Sequence, residues 1–431
     1  MTTRGTSEAQ TGAATGTAAG TATGAAAGTA TGAAAETATS TDTGSTTSTP
    51  ADTATSAAAG TEPSPFDPPA EDQPWLALAD SAAAEFASRA AHYDETAELP
   101  LENLERLHDL GLDAAWLPRE YGGQGLSYRS FGTALTAIAR ACPSTACIWL
   151  MHVGAAQALV SLGTPDSARF FADRLLEGKR FANALSEPTS GNMFLVPLQS
   201  ADPVPGGFRL EGAKRFVSGS EVADHLLVNT LVDGVPSFFG VDRDETMTMV
   251  PIWDTMGLRA SRSQLISFEG TLLPADRRCA PPSPADASLI AAGLPFLSIG
   301  VAEAAFAALA AHARGRVIPS AGTPLAELPW VRFAAADAQV ELRAARLLAQ
   351  ETMWLADHGS PRAMFVALEA KLKANEVANQ IAALGVRVGG ASGYLRTSPI
   401  QRHFRDAQAG ALMAYSTEVC RDAIGAAVLQ G

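Results

Sequence analysis

The sequence predicts an α+β protein laid out as an N-terminal helical domain, a small central β domain and a C-terminal helical bundle. Three observations predict it. Apolar residues recur at helical spacing across residues 71–180, short β-branched and aromatic runs replace them across 181–279, and long Ala/Leu-periodic segments return across 280–431. With 431 residues, 47% of them hydrophobic and 18% charged, the chain has apolar mass enough for more than one core.

Residues 1–70 stand apart as a tail. From Thr2 to Pro65 the chain is almost entirely Thr, Ala, Gly and Ser, and Phe66 is its first aromatic or branched aliphatic residue. Nothing there offsets the entropy of ordering, so disorder is expected. It reads either as a solubilising arm or as a tolerated low-complexity extension.

In the helical domain, Leu101, Leu104, Leu107 and Leu110 form one stripe, and Phe131, Leu135 and Ile138 another. Residues 117–126, rich in Gly and opened by Pro118, interrupt it as a loop. The β domain shows its strands at 208–210, 225–230 and 236–241, separated by Gly, Pro and Asp. The bundle, read as about four long antiparallel helices, has breaks at 319–329, 358–361 and 389–399. Its most apolar stretch, 289–302, is interrupted by Pro295 and Gly300 and ends at Glu303, which suits a buried bundle helix better than a membrane span.

Composition excludes several functions. A formal net charge of -14 without a dense Lys/Arg run repels phosphate backbones, so nucleic acid is not an expected partner. Four scattered cysteines make neither a disulfide framework nor a zinc site, and no metal is expected. The N-terminus lacks an apolar signal core, so a cytoplasmic protein without membrane attachment is expected.

Five motifs then appear in order. These are the loop at 117–126, the turn Ala184-Leu185-Ser186-Glu187-Pro188, the segment Gly212-Ala213-Lys214-Arg215-Phe216-Val217-Ser218, the segment from Trp253 to Ser263, and Arg405-Asp406-Ala407. Together they resemble the acyl-CoA dehydrogenase superfamily over essentially all of the chain after the tail. The resemblance implies that family's fold, with a four-helix bundle at the C-terminus, an FAD cofactor and a homotetramer.

It also assigns residues. Ser186 and Ser218 match positions that face the flavin ring system, and Phe216 matches the aromatic that stacks on it. Arg316 resembles the arginine that approaches the FAD phosphates, and Gly389-Gly390 the glycine loop that reaches a neighbouring subunit's cofactor. Removing Cβ at such a loop lets backbone N–H groups come close to phosphate. Each also has an ordinary structural reading: a turn Ser, an inward Phe, a strand-end Ser, a solvated helix-end Arg, a helix C-cap.

The catalytic base departs from the family. Counting from Arg405-Asp406-Ala407 puts Ala414 where ordinary members hold a glutamate, and the family's second location falls near Ile290. Glu418, four residues after Ala414, falls on the same helical face about one turn on and is the candidate substitute if that helix shifts, with a solvated helix residue as its plain alternative. His152, within an apolar helix expected beside the flavin, is a candidate proton donor or substrate contact, or else a core histidine.

Two chemistries follow from the resemblance. One is α,β-dehydrogenation of an acyl thioester on coenzyme A or a carrier protein, with electrons leaving through an electron-transfer flavoprotein. The other is two-component oxygenation, in which reduced FMN or FAD arrives as a co-substrate from a flavin reductase. Residues 389–394 and 398–406 look like the monooxygenase branch. A flavin-binding partner without chemistry is a third reading.

Overall fold

The computed structural model describes residues 64–189, 191, 194–283 and 285–430; most of the expected tail lies outside them. Five helices open the described chain: α1 (Gln73–Thr96), α2 (Leu101–Asp109), α3 (Tyr128–Ala141), α4 (Pro143–Leu162) and α5 (Pro165–Leu176). Local chemistry sets their starts. The Ser127 side chain accepts from Ser130 N–H at the head of α3, Thr164 does the same for Ser167 in α5, and prolines begin α4 and α5. Gly122 and Gly125 take positive φ in the loop at 117–126, and a Cβ on Gly123 would lie 2.0 Å from the Leu117 carbonyl oxygen.

The β domain holds two sheets. Strands β1 (Phe181–Ala184), β4 (His225–Val232) and β5 (Val235–Asp242) form one, in the order β1-β4-β5. Strands β2 (Ala201–Val204), β3 (Gly207–Val217), β6 (Met247–Val250) and β7 (Gln264–Pro274) form the other, in the order β2-β3-β7-β6. Their inner faces share a core containing Leu210, Val217, Val228, Phe239 and Phe268.

The C-terminal part packs α6 (Leu289–Gly315), α7 (Pro329–Asp357), α8 (Ala363–Tyr394) and α9 (Pro399–Leu412) as its main helices, followed by α10 (Thr417–Gln430). Helices α4 and α6 are apolar and long enough to cross a membrane, but 78% and 89% of their most apolar windows are buried within this fold. Core packing therefore accounts for their hydropathy.

Two local expectations change. Residues 389–394 continue α8 as helix, and only Gly390 departs, at φ 53° and ψ -144°. The segment is a glycine kink, because a single residue without Cβ absorbs the whole deviation. Ala414 and Glu418 do not share a helical face: α9 ends at Leu412, α10 starts at Thr417, and Tyr415 between them is left-handed at φ 57°.

Candidate functional site

Phe216 is the most unusual side chain of the β domain. It sits in a register break of β3 between Lys214 and Val217, at φ 59°, and the residue is 50% exposed. Positive φ is strained for a residue with a bulky Cβ substituent, and such strain collects at functional sites. The Arg215 guanidinium lies 4.7 Å from the Phe216 ring centre, and the Trp253 ring stands edge-on at 6.1 Å.

A buried pair fixes this segment. Lys214 Nζ donates to Glu187 Oε1 at 2.8 Å and to Asn229 Oδ1 at 3.0 Å, with Lys214 and Glu187 both wholly buried. Glu187 also accepts from the Leu198 and Gln199 backbone N–H groups. Burial lowers the Lys214 pKa, and Glu187 opposes that lowering. One residue earlier, the Ser186 carbonyl accepts from Arg215 N–H at 2.7 Å. The turn at 184–188 is thus tied to the strand that carries Phe216.

Two residues beyond Phe216, hydroxyls line up. Ser218 Oγ is 2.8 Å from Ser263 Oγ, which is 3.0 Å from Ser261 Oγ, and Cys147 Sγ of α4 lies 3.8 Å from Ser218 Oγ. Ser186, Phe216 and Ser218 therefore come together, where β3 meets α4. A half-exposed aromatic residue beside polar groups on a fixed turn fits a flat conjugated cofactor such as a flavin.

At the other end of the bundle, Ala313 of α6 and Val388 of α8 belong to one apolar cluster. That places Arg316, exposed just after α6, and the Gly389-Gly390 kink at the same end. A Cβ at Gly390 would meet nothing within 4 Å, so its backbone is open to an incoming group.

The two candidate catalytic residues are placed differently. His152 is 2% exposed; its Nδ1 accepts from Phe181 N–H at 2.9 Å, which puts the ring proton on Nε2, 3.3 Å from Asp113 Oδ2. That contact is short in distance but misses good hydrogen-bond geometry. Burial alone would raise the Asp113 pKa, yet His152 and Arg180 outweigh it and hold the carboxyl below its ordinary value. His152 thus faces the core, joining α4 to β1. Glu418 is exposed in the first turn of α10.

Between them, Ala414 and Tyr415 pack where the main helical core meets the cluster around α5 and β1, and the Tyr415 ring stands perpendicular to Phe194 at 5.0 Å. Burial pushes the Tyr415 phenol up to about 12. Arg405 clamps the neighbourhood: it binds both Asp94 oxygens of α1 and the Met256 carbonyl, while Asp406 accepts from Leu258 N–H at 2.8 Å.

Family models agree with this architecture. The model described as "Acyl-CoA dehydrogenase, N-terminal domain" matches residues 73–179, and "Acyl-CoA dehydrogenase, C-terminal domain" matches 292–429. Among curated proteins, the chain is 28% identical to 3-sulfinopropanoyl-CoA desulfinase of Cupriavidus necator, over 82% of this chain and 93% of that one. It is 27% identical to the mitochondrial short-chain specific acyl-CoA dehydrogenase of Bos taurus, over 77% and 83%.

Among solved structures, butyryl-CoA dehydrogenase of Megasphaera elsdenii superposes with TM-score 0.78 at 25% identity, covering 84% of this chain and 98% of that one. TdsC of Paenibacillus sp. A11-2, solved with FMN and indole, shares the fold at TM-score 0.74 and 22% identity, covering 83% and 98%.

Proposed function

Since the chain belongs to the acyl-CoA dehydrogenase superfamily, we propose that it is a flavin-dependent oxidoreductase that desaturates an acyl thioester between its α and β carbons. The observation that carries this reading is the strained, half-exposed Phe216 tied through Arg215 to the Ser186 turn. The cofactor is FAD, which supplies the hydride acceptor when bound. Phe216 forms the wall against one ring face, and Ser186 and Ser218 present polar groups to the ring edge. Arg316 and the open backbone at Gly390 serve the phosphates.

Glu418 is the proposed proton acceptor for the α carbon. In that role it takes one proton while the β hydrogen leaves with two electrons, producing a 2-enoyl thioester. An electron-transfer flavoprotein is the proposed electron partner, and the cytoplasm the proposed location. Phe333, Val340 and Leu347 recur at seven-residue intervals along α7 and are 70%, 67% and 44% exposed. Such an uncovered stripe supports assembly into a homotetramer.

A second reading, two-component oxygenation with reduced flavin from a reductase, is favoured by Ala414, which offers no carboxylate at the turn between α9 and α10. One preparation separates the readings. The protein is expected to bind oxidised FAD more tightly than reduced flavin and to scatter light as four chains. Tighter binding of reduced flavin overturns the dehydrogenase reading, and a monomer that holds FAD tightly overturns the tetramer.

A further inference from the structure

Lys371 lies in the third turn of α8 and is 1% exposed. Its Nζ donates to Asn375 Oδ1 at 3.0 Å and to the Gly410 carbonyl in the last turns of α9 at 2.6 Å. Ser298 of α6 donates to the same Asn375 oxygen at 2.9 Å, which orients the amide and leaves Asn375 Nδ2 buried without an acceptor. The titratable groups that act on Lys371 from the packed elements are two thiols, Cys147 of α4 and Cys420 of α10. Burial pushes both thiols up, Cys147 to about 11, so both stay neutral. Among the described residues, no carboxylate forms an ion pair with Lys371.

This is a donor-rich pocket around an uncompensated cation, and a methionine would fill the same volume without that electrostatic cost. The location gives the charge a use. Cys147, whose thiol acts electrostatically on Lys371, also contacts Ser218, the hydroxyl two residues beyond Phe216, and Gly410 lies just before the turn that carries Ala414.

We propose that Lys371 is a positioning residue for charge: a buried cation behind Cys147 and Ser218 that stabilises the electron-rich state of the bound flavin relative to the same protein without that charge. The proposal rests on the flavin reading above. It needs no covalent step, since the cation acts on the electrons that arrive with the hydride. Lys371 also caps the carbonyl end of α9, which is the structural role the test has to separate.

Lys371→Met is expected to fold with a melting temperature within a few degrees of the unmodified protein, because removing the buried charge offsets the loss of its hydrogen bond to the Gly410 carbonyl. It is also expected to weaken binding of reduced flavin about tenfold more than binding of oxidised flavin. For a two-electron couple that ratio lowers the reduction potential by about 30 mV. The unmodified protein gives an independent reading. Burial lowers the Lys371 pKa to about 8, so the cation is present below that pH and lost above it, and the potential is expected to fall more steeply with pH beyond about 8.

Equal weakening of both flavin states, with no such break in the unmodified protein, would show a merely structural lysine and overturn the proposal. If Lys371→Met fails to fold, the pH dependence of the unmodified protein decides alone. Absence of any flavin binding by the unmodified protein overturns the flavin reading and this proposal together.

Discussion

Glu418→Gln is expected to lower turnover of a true acyl thioester by about a hundredfold to ten-thousandfold while flavin stays bound. The substitution keeps size and hydrogen bonding but removes basicity, so a loss confined to turnover reports proton abstraction. Glu418 sits in the first turn of α10, where a carboxylate also interacts favourably with the helix N-terminus. Losing that interaction costs about 0.3–1 kcal/mol, too little to explain such a rate change through unfolding. Ala414→Glu is the complementary change, restoring an acid in the turn before α10. A Glu418→Gln enzyme that remains fully active under anaerobic conditions with an artificial electron acceptor would remove Glu418 as the base.

Lys214→Met is expected to destabilise the β domain by about 3–5 kcal/mol, because it breaks a wholly buried ion pair by removing one partner. Flavin binding should be lost with it, since Lys214 is two residues from Phe216 and Glu187 follows Ser186. Pairing the change with Glu187→Gln should recover part of the loss, because the two side chains act as one unit. Chemical unfolding checks this. A single Lys214→Met variant within about 1 kcal/mol of the unmodified protein would show that the pair does not hold the site in place.

Much of this was legible in the amino-acid order, and the exceptions have identifiable causes. Phe216 and Ser218 stand out by motif, and the change from helical spacing to β-branched runs and back marks the element order. Tyr415 is where periodicity misled: a four-residue spacing places Ala414 and Glu418 on one face only if the helix is continuous, and a left-handed residue ends that continuity. Residues 389–394 misled in the opposite direction, since glycines that suggest a loop are accommodated by one kinked position in α8.

His152 could be read either way from sequence, because its partners Asp113 and Phe181 lie 39 residues before it and 29 after it, and only the fold brings them together. Lys371 escaped notice because a lysine between Glu369 and Lys373 looks like a solvated helix face. The signal was present all the same. Ala367, Lys371, Asn375 and Ala378 follow each other at helical intervals, and all four are buried.

The most direct test mixes the flavin-loaded protein with a series of acyl-CoA thioesters in the absence of oxygen and follows the visible absorbance of the flavin. Desaturation predicts bleaching by at least one thioester without any reductase, with the 2-enoyl thioester formed in equal amount and colour restored by an electron-transfer flavoprotein. No bleaching by any thioester, together with substrate oxygenation that requires reduced flavin and dioxygen, would contradict it.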